Sequence, residues 1–405
     1  MGQVHTIQIL RALAALMVVI GHAQDDAKVA SLKLGTMFER NHILPWNAGV
    51  DLFFVISGFI IVHTSEHLFE SPQGRRLFLW RRLVRIVPLY WVFSLLMLAM
   101  MAAAPSRGGL PLPAWPDILA SFAFWPADTF GDGYPRPFFS LGWTLNYEMF
   151  FYFVFAVFIF FPQGRAVAAV VGLFSALIVL GPVFPVQFAA LSVWSKPIIL
   201  EFVLGMCLAL FFGRGLCVGR AVRIALGGSA LLVLCADPLH SSDQGLDWIN
   251  TNGWARFFFW GLPASFLVAA SLFGGASSGE PETTAGRGAP TAFLSWSLIY
   301  SQPLMKTAAA LRYGSIALGN ASYALYLVHP FMVVALRKFW IAAGLHLSLG
   351  FWPLVVFSAA CACCAAGFIH YRIELPVLQF MRRYEPSLGR KQPVQARIHM
   401  HKTPV

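Results

Sequence analysis

Charge is scarce in this sequence. Asp, Glu, Lys and Arg make up 12% of its 405 residues against 58% apolar residues, which excludes a water-soluble globule for want of polar surface. Cysteine is scarce as well. The six present are dispersed, and Cys361, Cys363 and Cys364 fall inside one apolar run, where a thiol behaves as a small hydrophobe. A disulfide framework is therefore excluded. No C-x2-C unit is paired with a second one, so no metal is expected. The net charge of +11 does not indicate nucleic acid, because the basic residues are spread between apolar stretches instead of gathered on one reading face. No Lys or Arg precedes Arg11, and Ala23, Gln24, Asp25 and Asp26 make a poor small-residue cleavage site. The first apolar stretch thus reads as an uncleaved span, not a signal peptide.

What the sequence has instead is a succession of apolar stretches near the length of helix that crosses roughly 30 Å of hydrocarbon. They run approximately over 7–24, 48–65, 83–103, 139–161, 165–182, 197–213, 221–236, 255–273, 319–341 and 351–371, each bounded by charge, Pro or Gly. The expected fold is an all-α integral membrane protein, with about ten transmembrane helices in one bundle over residues 1–373. Residues 291–316 are apolar enough for an interfacial or extra helix, and an odd span there would move the C-terminus across the membrane. Gly, Ser, Thr, Glu and Pro dominate near 274–291, as in a disordered linker. Residues 374–405 read as a basic polar tail near anionic headgroups.

Loop charge orients the bundle, because Lys and Arg concentrate on the cytoplasmic side. With the N-terminus inside, the inner loops hold the arginines from Arg75 to Arg85, then Arg165, then Arg214, Arg220 and Arg223, then Arg287, Lys306 and Arg312. The outer stretch 237–254 has three Asp and no Lys or Arg. Both termini are therefore expected in the cytoplasm, and the protein in a cell membrane with lipid around it.

Four blocks carry chemistry. Arg11 and His22 lie 11 positions apart in the first span, which on a helix leaves them about 20° apart in direction and about 16 Å apart in height. An Arg in an apolar span costs about 2.5–3.5 kcal/mol on insertion scales, and is retained by snorkelling or by facing a polar cavity. Asp51 opens the second span at the depth of His22, where a carboxylate can fix the imidazole tautomer or simply sit at a helix N-terminus. Arg81, Arg82 and Arg85 enter the third span, spaced so that two share a face and can present planar forks to phosphate. Glu148, in the aromatic run that also holds Trp143, needs a partner in so apolar a setting. Tyr326 and His329, in the run from Ser322 to Pro330, are further candidates, alongside ordinary helix–helix hydrogen bonding.

Together these blocks resemble the membrane acyltransferase 3 family. The matching features are the R-x10-H pair Arg11 and His22, the GVDLFFVISGF run, the RRLVRIVPLY run, the GWTLNYEMFFY run with Glu148 and the SYALYLVHP run. The GWTLNYEMFFY form is most similar to the exopolysaccharide-production branch. The resemblance implies transfer of an acyl group, usually acetyl, from acyl-CoA to a hydroxyl of a carbohydrate or lipid-linked glycan at the bacterial inner membrane, with no bound cofactor. It also implies roles: Arg81, Arg82 and Arg85 on donor phosphates, Arg11 on the donor or transfer site, and His22 as general base or acyl carrier, oriented by Asp51 or Glu148. From the residues alone a transporter or flippase of a lipid-linked glycan, using the same intramembrane charges, stays open as the alternative.

Overall fold

Every apolar stretch recognised by length becomes a helix. The computed structural model describes residues 5–103, 111–183, 189–238, 253–274 and 295–386; the expected linker from 275 onward and the tail beyond 386 lie outside the described residues. In chain order the helices are α1 (His5–Lys33), α2 (Gly49–Thr64), α3 (Gly74–Ala103) and α4 (Trp115–Phe122). Then come α5 (Gly142–Phe158), α6 (Gln163–Leu180), α7 (Ala189–Trp194), α8 (Leu200–Gly213) and α9 (Arg220–Ala236). The last four are α10 (Trp254–Leu272), α11 (Ser295–Asn320), α12 (Ser322–Ala342) and α13 (Trp352–Arg382). The protein is an all-α membrane protein, and among the described residues no strand forms.

Seven of these helices are long and apolar enough to cross a membrane: α1, α2 with the turn before it, α3, α6, α10, α12 and α13. The expected spans α5, α8 and α9 have 17, 14 and 17 residues, about 21–26 Å of helix. Three boundaries differ most from the sequence reading, one being α13, which runs on to Arg382 where the sequence reading ends the span at 371 and begins the polar tail at 374. Helix α1 runs on to Lys33 because Asp25 and Asp26, which would otherwise end it, are paired with Arg40 at 2.8 Å and Arg337 at 3.1 Å. Helix α3 begins at Gly74, so the arginine cluster is helical; nothing between Gly74 and the internal Pro88 interrupts the ladder.

Which faces go inward follows the 3.6-residue period. In α3, Leu89, Tyr90, Phe93 and Ser94 are buried while Trp91, Val92, Leu95 and Leu96 are exposed, an outward apolar stripe that suits lipid tails. Lipid does not drive apolar helices together, so close backbone packing has to. The crossing of α2 and α8 uses it: a Cβ on Gly58 would stand 2.1 Å from the Phe202 carbonyl oxygen, and one on Gly205 2.0 Å from that of Val55. Helix α1 is central, touching α2, α10, α11, α12 and α13.

The contacts also sort the two ends of the bundle. At the end where α1 begins, Gly319 lies against Gln8, the Tyr323 hydroxyl donates to the Ile86 carbonyl at 2.7 Å, and Arg81 pairs with Glu385. The Val218 N–H donates to the Phe273 carbonyl there as well. At the opposite end Arg337 meets Asp26 and Arg256 meets Asp51.

Candidate active site

Between α1, α2, α3, α5 and α12 lies a slot of about 90 Å³ lined by Arg11, Ser57, Arg82, Arg85, Glu148, Tyr152, Tyr323 and Tyr326 among apolar neighbours. Helix spacing assembles it. Glu148 and Tyr152 are four apart on α5, so the Tyr152 hydroxyl reaches the Glu148 Oε1, which also accepts from the Ser57 hydroxyl at 3.1 Å. Arg11 is buried, with Gln8 Oε1 3.3 Å from its Nη1. The charged groups nearest it include Arg85, Glu148 and Glu374. Cations and carboxylates thus share one interior slot, which is how intramembrane charge is accommodated.

Next to the slot, with Arg82 and Arg85 in both linings, is a wider mouth of about 410 Å³, lined by Thr64, Ser65, Trp80, Arg81, Arg82 and Arg85 together with Leu378, Arg382 and Glu385. Arg82 donates to the Thr64 hydroxyl at 2.9 Å and lies over the Phe78 and Tyr152 rings at 5.6 and 6.0 Å. Arg82 and Arg85 line both the mouth and the slot. The predicted arginine cluster therefore holds together, with Arg81 at the rim and the other two leading inward.

His22 sits towards the other end of α1, and its partner is His329. The His22 Nδ1 and His329 Nε2 are 2.8 Å apart, with the rings stacked at 5.1 Å. His329 is fully buried, and its Nδ1 lies 3.1 Å from the Leu325 carbonyl oxygen, beside Pro330, which carries no N–H for the helical ladder. A carbonyl only accepts, so His329 Nδ1 carries the proton and its Nε2 is the acceptor. His22 must then donate through Nδ1, which leaves the lone pair on its Nε2. Tyr326 connects the two regions. Its ring packs against His329 at 6.0 Å, its hydroxyl bonds Thr144 at 2.9 Å and Leu141 at 3.0 Å, and it lines the slot.

Asp51 does not partner His22, contrary to the expectation from depth. Its two oxygens accept from Arg256 Nε at 2.9 Å and Nη2 at 2.8 Å, with both side chains fully buried. A bidentate guanidinium satisfies the carboxylate better than one imidazole nitrogen would. Glu148 does not orient His22 either; it belongs to the Arg11 end. Trp143 is not among the residues lining the slot; its ring lies 5.7 Å from the Arg256 guanidinium carbon, with the Trp260 ring at 4.9 Å. Beyond the membrane end near His22, the loop before α5 is pinned by Arg136, which donates to Asp132 at 2.9 Å and holds that carboxyl below its usual range.

Sequence reasoning missed three members of these groups. Arg256 stands at the start of a span, where it resembles an ordinary flanking arginine, yet its place just before a π-helical turn at Phe257–Gly261 turns it inward. Ser57 and Thr144 carry no signal, since a hydroxyl in an apolar helix usually bonds its own backbone.

With this geometry in hand, the chain matches the acyltransferase domain family over residues 4–371. It is 33% identical over 354 residues to the exopolysaccharide production protein ExoZ of Rhizobium meliloti (strain 1021), covering 86% of this chain and 95% of that protein. No solved structure matches the chain.

Proposed function

The chain belongs to the membrane acyltransferase 3 family, and we propose that it moves an acyl group, acetyl by expectation, from acyl-CoA to a hydroxyl of an exopolysaccharide or its lipid-linked precursor at the inner membrane of a bacterium. It is a multi-pass membrane acyltransferase. One observation carries it: Arg82 and Arg85 belong to both mouth and slot, while Tyr326 belongs to the slot and touches the histidine pair. A thioester anchored by its phosphates at the arginines has a route along α1 towards His22.

In this reading Arg81, Arg82 and Arg85 bind the donor phosphates as charge-assisted, planar forks. Arg11, held among Glu148, Arg85 and Glu374, positions the thioester in the slot. His22 is the general base. Its Nε2 lone pair takes the proton of the acceptor hydroxyl as the oxygen attacks the thioester carbonyl; the carbon–sulfur bond then breaks and the CoA thiolate regains a proton. His329 orients His22 by accepting its Nδ1 proton. Asp51, Trp143 and Arg256 hold the helices that carry these groups. The relative's name supports exopolysaccharide as the acceptor.

The test uses purified full-length protein with acetyl-CoA and glycan from a strain lacking the gene, following CoA release together with glycan acetylation. His22→Gln should lower kcat by about 10²–10⁴, the value of a general base, with KM for acetyl-CoA nearly unchanged. Normal turnover by that variant removes His22 from the chemistry, and absence of acetyl-CoA turnover by the unaltered protein removes the donor assignment.

A further inference from the structure

We propose that the C-terminal turns of α13 form part of the donor site: Arg382 is a fourth phosphate-binding arginine at the mouth, and Glu385 occupies Arg81 until a donor phosphate displaces it. The inference rests on the reading of this mouth as the place where CoA phosphates bind. By sequence these residues open a solvated tail about 300 positions after the arginine cluster. The fold instead brings Leu378, Arg382 and Glu385 to the same opening as Arg81, Arg82 and Arg85.

Charge gives the first argument. Four guanidinium groups and one carboxylate surround the mouth, an excess of three positive charges, and Arg82, Arg85 and Arg382 form no ion pair among the described residues. Such an excess beside an open volume of about 410 Å³ suits a ligand with several phosphate oxygens. Geometry gives the second. Glu385 Oε1 takes the Arg81 Nε–H, the edge of the fork that a phosphate oxygen uses, while the Arg81 Nη1 lies 3.3 Å from His67 Nε2. The pair is at the surface, with side chains 41% and 25% exposed, and a pair so exposed is weak. A phosphate with more charge and more acceptor oxygens than a carboxylate therefore replaces Glu385 at Arg81, and the freed α13 end keeps Arg382 against the same ligand.

Two variants with opposite signs test this in the purified full-length protein, titrated with CoA at fixed ionic strength by calorimetry. Glu385→Gln removes the competitor and should bind CoA about two- to fivefold more tightly, the range of an exposed ion pair. Arg382→Gln should bind about three- to tenfold more weakly, and Arg382→Lys should recover part of the loss. CoA binding by the unaltered protein with Glu385→Gln equal or weaker makes the contact a structural latch and overturns the displacement. Unchanged affinity in Arg382→Gln removes α13 from the site, while the donor reading stands. If neither the unaltered protein nor Glu385→Gln binds CoA, the donor reading itself falls, and this inference with it.

Discussion

At the scale of single residues, the direction of one hydrogen-bond chain decides what His22 can do. The Leu325 carbonyl fixes the proton on His329, His329 fixes the proton on His22, and the free lone pair follows. A positioning residue of this kind acts on the rate and not on donor binding. His329→Leu should therefore lower kcat by about tenfold or more, because an imidazole left without its acceptor spends time in the wrong tautomer and rotamer. KM for acyl-CoA should stay within about twofold, since His329 lines neither slot nor mouth. Steady-state kinetics of the variant separate the two parameters. A change confined to KM would assign His329 to the donor path instead. The same logic explains why His329 was visible in the sequence only as a suspect: a histidine before a proline signals a local irregularity, but its partner lies 307 residues away.

At the scale of elements, the Asp51–Arg256 pair ties α2 to α10 with no solvent contact at all. Desolvating two charges is expensive, and the attraction compensates only while both partners remain. Asp51→Ala should therefore cost about 3–5 kcal/mol of stability by stripping a buried guanidinium of its bidentate partner and leaving only Glu201 beside it, seen as a large drop in the thermal midpoint of the detergent-solubilised protein. The double variant Asp51→Leu with Arg256→Met should regain part of that loss, since the guanidinium is no longer stranded, while the buried Glu201 loses its neighbouring cation. If Asp51→Ala keeps its midpoint but loses activity, the pair belongs to the chemistry and not to the scaffold. Near this pair Glu201 is also fully buried and interacts with both Asp51 and Arg256, so α8 adds a second acidic group to the same interior layer.

At the scale of the whole molecule, the contacts at the bundle ends bear on topology. Helix α10 ends beside Val218, and α11 ends with Gly319 against Gln8 at the start of α1. The described residues on either side of 275–294 thus stand at the same end of the bundle. The positive-inside rule makes the cytoplasm the expected side, which labelling tests. A variant with Cys217, an exposed thiol between α8 and α9, as its single cysteine should resist a membrane-impermeant maleimide in intact cells and react once they are opened. Asn41→Cys in the same background, on the opposite end, should react in intact cells. The reverse pattern inverts the protein and places the arginine mouth outside.

Composition alone determined that the bilayer is the solvent, because so few charges cannot cover a globule, and apolar run length determined where helices form. Helical periodicity put Arg11 and His22 on one face, and the density of Arg81, Arg82 and Arg85 marked the basic end of the bundle. Those are local properties, carried by spacing within one segment. Which charge meets which was decided only by tertiary structure: Asp51 with Arg256, His22 with His329, Glu148 with Ser57 and Tyr152, Glu385 with Arg81. The physical reason is that a buried polar group takes whichever partner best satisfies it in three dimensions, and helix crossings set by close packing at positions such as Gly58 and Gly205 bring together residues that no sequence period relates.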